Sequence, residues 1–386
     1  MASPLVARMH GFGTTIFAEM TGLATEHGAV NLGQGFPDTD GPQEMLDAAK
    51  AAIDGGRNQY PPGPGVPELL EAVAAHQSRF YGIDLDPRSE VLVTVGATEA
   101  IAATILALCE VGDEVVTFEP YYDSYAASIA LAGAVRRTSV LRFPDFAVDE
   151  ESLRAAFSSR TRLVLLNTPH NPTGKVFTRD ELELICSLAR EFDAWVVTDE
   201  VYEHLVFGDA EHVPVATLPG MRERTLTISS AGKTFSATGW KVGWVSGPAE
   251  AVAAVRTVKQ FLTFVGSGPF QPAAAVALGL GDEVYASLST SLEAKRDLLV
   301  AGLQGAGLEV SVPDGTYFVV ADAAPLGATD ALEFCRSLPL RAGVVGVPVS
   351  VFHDDVAAAR TLVRFAFCKR DEVLHEAVQR LGALRT

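Results

Sequence analysis

TRLVLLNTPHNPTGKVFTRDELELICSLAREFDAWVVTDE, residues 161–200, is the stretch that decides the fold of this chain. RLVLLN and AWVVTDE are continuous apolar runs rather than alternating ones, which is how strands buried on both faces read. Between them RDELELICSLAREF carries its apolar residues at helical spacing, so the unit is strand, loop, helix, strand. The same rhythm extends in both directions. Upstream, VLVTVG (91–96) leads into ATEAIAATILALCE (97–110), and EVVTFE (114–119) into a tyrosine-rich segment. Downstream come TLTISS (225–230), VGWVSG (242–247) and a helix from about Pro248. Repeated βαβ units predict an α/β fold, a mainly parallel sheet with helices on both faces. Beyond it, short strands (GTYFVVAD, LVRFAFC) mix with helices (ATDALEFCRSL, DEVLHEAVQRLGAL), as in a smaller α+β domain. The expected division is an irregular N-terminal arm over 1–40 that packs with the small domain, a large domain over 41–275 and the small domain over 276–386.

Composition narrows the function classes. With 386 residues, 48% of them hydrophobic, the chain can bury a core of two or three domains. Thirty basic residues against 48 acidic ones give a net charge of −18, with no long basic run, so nucleic acid is not an expected partner. Cys109, Cys186, Cys335 and Cys368 are widely spaced, and three of them sit in apolar runs, as reduced core cysteines do. CxxC and HExxH spacings are absent and the eight histidines do not cluster along the chain, so no metal is expected; His170, beside Asn171, is the one histidine singled out. The first residues lack the basic, apolar and small-residue regions of a secretion signal, and no run approaches the roughly 20 apolar residues of a membrane helix. The expectation is a cytoplasmic protein without membrane contact.

Chemistry gathers at the strand ends, where an α/β sheet opens its ligand crevice. Lys233 follows the strand ERTLTISS among small and glycine residues in SSAGKTFSATGWKVGW (229–244). An amine there can be partly desolvated and freed to attack a carbonyl, whereas an ordinary loop lysine is solvated. Gly232, Lys233 and Thr234 end like a phosphate-binding loop, but Thr227 stands where its first glycine belongs and FSATGW has no clean helical period. Asp199 closes an apolar strand. If buried it needs a cationic partner, which a protonated pyridine nitrogen would supply; capping a helix is the plainer use. Tyr202 could donate to a ring hydroxyl or pack in the core. Asn171, held in HNPTG by Pro172 and Gly174, can donate its amide to a phenolate or form an ordinary Asn-Pro turn. Gly96, Ala97 and Thr98 open a helix at a strand end, an anion site of free N–H groups that the Ser230 hydroxyl and the Lys241 charge could support. Tyr121 or Tyr122 could cover a flat ring or pack. Arg364, inside the apolar TLVRFAFC, suits a carboxylate bound bidentately, with a structural ion pair as the alternative.

Taken together, NLGQGFPD (31–38), NQYPPGPG (58–65), VGATEA (95–100), EPYYDSY (119–125), HNPTG (170–174), TDEVY (198–202), SSAGKTFSATGW (229–240) and VRF (363–365) stand in a telling order. The chain resembles, over nearly its whole length, the class I/II aminotransferases among the fold type I pyridoxal-phosphate enzymes. That resemblance implies a mainly parallel sheet of seven strands in the large domain. It implies transfer of an amino group from an L-amino acid to a 2-oxo acid, such as 2-oxoglutarate or pyruvate, in two ping-pong half-reactions. It implies pyridoxal 5'-phosphate held covalently by Lys233, paired at its ring nitrogen with Asp199, bonded at its ring oxygen by Asn171 and Tyr202 and stacked by Tyr122. Gly96, Ala97, Thr98, Ser230 and Lys241 would hold its phosphate, while Arg364, Asn171 and Gly35 would hold the substrate carboxylate.

In the family Tyr60 reaches the phosphate of the partner subunit, so a homodimer is implied. Many members have arginine where this chain has Lys241, which keeps the charge without the fork. SAGKTFSATGWKVGW is similar to the kynurenine and glutamine aminotransferase branch, and NLGQGFPD with NQYPPGPG equally to bacterial N-succinyldiaminopimelate aminotransferases. Candidate donors are then kynurenine, glutamine, methionine, aromatic amino acids and N-succinyl-L,L-diaminopimelate, with Phe17, Tyr60, Phe352 and His353 about the side chain. β-Elimination from cysteine S-conjugates at the same site is the alternative outcome.

Overall fold

The computed structural model of the chain describes residues 4–13 and 15–385; residues 1–3 and 14 of the expected arm, and 386 at the end of the small domain, lie outside the described residues. β1 (Val30–Asn31) comes first along the chain. β2 (Val91–Val95), β3 (Glu114–Glu119), β4 (Val135–Val140), β5 (Thr161–Asn167), β6 (Trp195–Asp199), β7 (Thr225–Ser230) and β8 (Val242–Ser246) build a seven-stranded sheet in the order β2-β8-β7-β6-β5-β3-β4. Only β8 runs against its neighbours, so the sheet is mixed but mostly parallel.

Alternate residues of the central strands bury on opposite faces, which is why those strands read as unbroken apolar runs. Leu163, Leu165, Val197, Leu226 and Ile228 pack with Ile101 of the helix Gly96–Leu108 and Val255 of the helix Ala249–Lys259. Val164, Leu166 and Val196 turn the other way, toward Leu182 and Ile185 of the helix Arg179–Glu191. That helix starts where the sequence supplies a reciprocal cap. Thr178 Oγ1 accepts from the Glu181 N–H, and the Glu181 carboxylate accepts from the Thr178 N–H.

The C-terminal part carries β9 (Glu309–Ser311), β10 (Phe318–Asp322), β11 (Val344–Val345), β12 (Val347–Pro348) and β13 (Leu362–Ala366). An antiparallel sheet in the order β12-β13-β10-β9 packs on the helices Asp282–Gly305 and Asp371–Leu381 through Leu299, Leu303 and Leu374. β1 pairs in parallel with β11, Val30 opposite Val344, which ties the N-terminal segment to this sheet's side of the molecule.

Two local expectations give way. The first forty residues are not irregular throughout, because Ile16–His27 form a helix that ends at Gly28 in the left-handed region (φ 59°). Its apolar stripe is thin, with only Met20 and Ala24 fully buried, so its period is faint in the sequence. After β7 the chain does not simply turn but winds one helical turn, Ala231–Thr234, with Lys233 upon it. Among the described residues no helix is long and apolar enough to cross a membrane, and all four cysteines are unpaired.

Candidate active site

Register brings the chemistry to one edge. Asn167 lies opposite Asp199, and Asp199 opposite Ile228, at the carboxyl ends of β5, β6 and β7. Because β8 is reversed, its amino end and the preceding Lys241 reach that same edge, with Val242 opposite Val95. A cavity of about 290 Å³ opens there. It is lined by Gly96, Ala97, Thr98, Tyr122, Asn171, Asp199, Tyr202, Ser230, Lys233 and Lys241 from the strand ends, and by Gly35 and Arg364 from the other side.

One corner combines an open helix start with a nearby amine. The helix Gly96–Leu108 begins with Gly96 at φ 73°, and no side chain caps its first N–H groups. β8 presses so close to this start that a Cβ on Gly243 would lie 2.6 Å from the Gly96 carbonyl carbon. The Lys241 amine hangs over it, 3.0 Å from where a Gly96 Cβ would stand. Ser230, the residue before the single turn bearing Lys233, lines the same cavity.

Asp199 is buried, and Tyr125 donates its hydroxyl to Oδ2 at 2.6 Å. Burial pushes its pKa up to about 6, against the hydrogen bonds from Tyr125 and the Val201 N–H. Behind it, Asn167 donates Nδ2 to the Asp199 carbonyl at 2.8 Å and accepts at Oδ1 from the Asn171 N–H at 2.7 Å. The HNPTG loop and the end of β6 are thus one rigid unit.

Lys233 Nζ lies 5.6 Å from the ring centroid of Tyr202 and 5.7 Å from that of Tyr317. Burial lowers its pKa to about 8; Cys368 and Asp199 pull it up, and Arg364 pushes it down. Arg364, on β13, donates to Asn171 Oδ1 at 3.0 Å and to the Gly33 carbonyl at 2.9 Å, over the Phe318 ring at 4.1 Å. Its Nε is buried with no partner. Burial brings the guanidinium down to about 10. Gly35 has no room for a side chain, since a Cβ would strike Phe318, and its carbonyl accepts from Tyr317 Oη at 2.7 Å.

Tyr60 is not in this cavity. It is 80% exposed, edge-on to Phe264 at 5.4 Å between centroids. Phe17 lines the cavity, whereas Phe352 sits behind Arg364 and His353 bonds Glu119 through Nδ1 at 3.2 Å. Tyr121 turns away to donate to Asp354, and His170 is buried on Thr173. Sequence reasoning missed Tyr125, Asn167 and Tyr317. Tyr125 carried a signal, because it stands three residues after Tyr122 at the start of a helix and so shares its face. The histidines, scattered in sequence, do meet in the fold: His76 and His204 touch Nε2 to Nε2 at 2.7 Å.

A mostly parallel sheet with a buried amine at one strand end, faced by a guanidinium from a second sheet, has the architecture of the α/β enzymes of fold type I. The chain belongs to the aminotransferase class I and II family, whose pattern matches residues 27–381, and it is therefore an enzyme that transfers amino groups. A protein of Mycobacterium tuberculosis (strain CDC 1551 / Oshkosh) named probable N-succinyldiaminopimelate aminotransferase is 54% identical over 390 residues, covering 98% of each chain. The solved structure of an N-succinyldiaminopimelate aminotransferase from Mycobacterium tuberculosis superimposes with a TM-score of 0.96 at 54% identity, covering 98% of this chain and 100% of that one. Kynurenine–oxoglutarate transaminase 3 of Mus musculus is 39% identical over 399 residues, covering 96% of this chain and 88% of the relative.

Proposed function

We propose that this aminotransferase works with pyridoxal 5'-phosphate, moving the amino group of an L-amino acid to a 2-oxo acid in two ping-pong half-reactions. The residues fit the cofactor. The uncapped helix start at Gly96, with Ala97, Thr98, Ser230 and Lys241 about it, suits the phosphate. Asp199, buried without a cation of its own, suits the protonated ring nitrogen, and Asn171 and Tyr202 suit the ring oxygen, with Tyr122 over the ring. When bound, the cofactor supplies an electron sink for the bonds to the substrate α-carbon.

The chain does the rest. Lys233 Nζ would hold the cofactor covalently and, when free, would take the α-proton of the donor; with its pKa brought to about 8, roughly a tenth of the amine is unprotonated at pH 7, far more than for an ordinary lysine. Arg364 fixes the donor carboxylate, helped by Asn171 and the Gly35 loop, and so orients the α-hydrogen toward that amine. The rings of Tyr202, Tyr317 and Phe318 keep water from the reacting end.

The observation that carries this reading is the partly desolvated Lys233 amine in one cavity with Asp199 and Arg364. Borohydride reduction followed by peptide mass spectrometry tests it: the adduct is expected on Lys233, and an unmodified Lys233 in a reduced, cofactor-bearing sample sinks the assignment.

N-Succinyl-L,L-diaminopimelate is the first donor to test, since a relative 54% identical carries that name; kynurenine, glutamine, methionine and aromatic amino acids follow. Single-turnover rates over that panel rank them, and turnover that persists without a 2-oxo acid marks β-elimination instead. In the same reading residues 41–275 are the cofactor-binding domain and 276–386 the smaller one. Two copies assemble so that Tyr60 enters the partner's cavity, in keeping with the exposed rings of Tyr60, Phe261 and Phe264. The unpaired cysteines are in keeping with a cytoplasmic setting.

A further inference from the structure

Behind the turn that carries Tyr202 lies a second buried polar cluster, which the transfer of an amino group does not use. His76, on the helix Pro67–Tyr81, meets His204 at 2.7 Å between Nε2 atoms, and a Glu203 oxygen lies with them in a group no wider than 4.8 Å. Glu203 is 4% exposed. Its Oε1 accepts from Ser229 Oγ at 2.6 Å, while Oε2 has no hydrogen-bond partner, so among the described residues no lysine or arginine meets this carboxylate. A buried carboxylate without a counter-charge is costly.

We propose that His76, Glu203 and His204 bind one first-row divalent cation of the zinc type. Two imidazole nitrogens and a carboxylate oxygen are a donor set that zinc accepts, and an all-oxygen ion such as magnesium does not favour it. The rings of Phe80, Tyr81 and Tyr285 pack against His204 and wall the cluster. Tetrahedral bonds of roughly 2.0–2.1 Å put ligand atoms about 3.3 Å apart, so the two rings part by about half an ångström on binding. The ion neutralises Glu203 and pins the outer helix Pro67–Tyr81 to the turn that follows Asp199, without entering the cavity. Its role is a clip that stiffens the mount of Tyr202.

Zinc titrated into the holoenzyme against a chromophoric chelator is expected to bind at one equivalent per chain and to raise the unfolding temperature. Cobalt in its place should show the visible bands of a tetrahedral site. His76→Gln and His204→Gln are each expected to weaken binding by about tenfold or more and to remove the thermal gain. A wild-type enzyme that takes up no stoichiometric zinc overturns the proposal. So does uptake that either soluble variant leaves unchanged, since the ion would then sit elsewhere; if one variant fails to fold, the other decides.

Discussion

Glu114 begins β3 and Asp199 ends β6, two buried carboxylates in one sheet, at its opposite edges. Glu114 is fully met. Arg137 donates to Oε1 at 2.8 Å, Arg160 at 2.6 Å, and Ser158 Oγ to Oε2 at 2.5 Å, which with Arg137 foremost bring its pKa down to about 2. Asp199 receives one tyrosine hydroxyl and one long backbone N–H, and burial drives its pKa up to about 6. Arg364, across the cavity, likewise keeps an unpartnered Nε. The charge at the amino edge of the sheet is met by partners within the chain, whereas those at the cavity are left short of partners, which is the pattern the proposed function requires.

The largest effect that can break this contrast is at Lys233. Lys233→Ala is expected to lower turnover roughly 10⁴-fold or more, while thermal unfolding shifts little, because the amine is held for chemistry rather than for packing. Steady-state rates beside a melting curve check both halves; a variant that melts far earlier would mean that the strand ends are structural after all.

Asp199 and Glu114 then respond to pH with opposite signs. The Asp199 pKa is raised above 3.8 to about 6, so the native state holds its proton longer than the unfolded chain does. In the cofactor-free protein stability therefore falls as pH rises from about 4 to 6, and the full penalty remains above that. Asp199→Asn should gain on the wild type across that window, by up to about 3 kcal/mol at pH 7, even as it loses activity. The Glu114 pKa is depressed from 4.5 to about 2, so its contribution is present above 4.5 and is lost as pH falls toward 2. Glu114→Gln is expected to destabilise by about 1 kcal/mol at neutral pH, because the two arginines that hold it are themselves solvent-exposed and screened, and by progressively less as pH drops below 4.5. Denaturant midpoints at pH 4 and pH 7 for the two variants test the pair; curves of the same sign would erase the distinction between the edges.

The sequence exposed one side of this contrast far better than the other. The strands were legible because two buried faces force unbroken apolar runs, and Asp199, Lys233 and Arg364 were legible because charge inside or beside such runs is conspicuous. Strand order and the reversal of β8 were not, since pairing is a long-range choice that leaves no local mark. That reversal alone brings Lys241 to the cavity. Tyr125 and Asn167 escaped notice because their contacts to Asp199 and Asn171 are made only in the fold. The cluster at His76 escaped because its members stand 128 residues apart in sequence. The helix Ile16–His27 was missed because it buries too thin a stripe to show a period.

Lys241 gives the smallest and finest test. At the amino edge Arg160 engages Glu114 Oε1 through both Nε (3.2 Å) and Nη2 (2.6 Å), so geometry as well as charge is in use there. Lys241 instead offers a point charge over the bare start of a helix, where the missing Gly96 side chain leaves it room. Its backbone is already in the left-handed region, φ 56°, a strain that any larger side chain would share equally. Lys241→Arg is therefore expected to change cofactor affinity by no more than about threefold, roughly 0.6 kcal/mol, whereas Lys241→Met should weaken it by about tenfold. Cofactor dissociation measured by equilibrium dialysis reads both. If the arginine variant lost as much as the methionine one, the corner would depend on the shape of a lysine rather than on its charge, and the carboxyl edge would be as closely fitted as the amino edge.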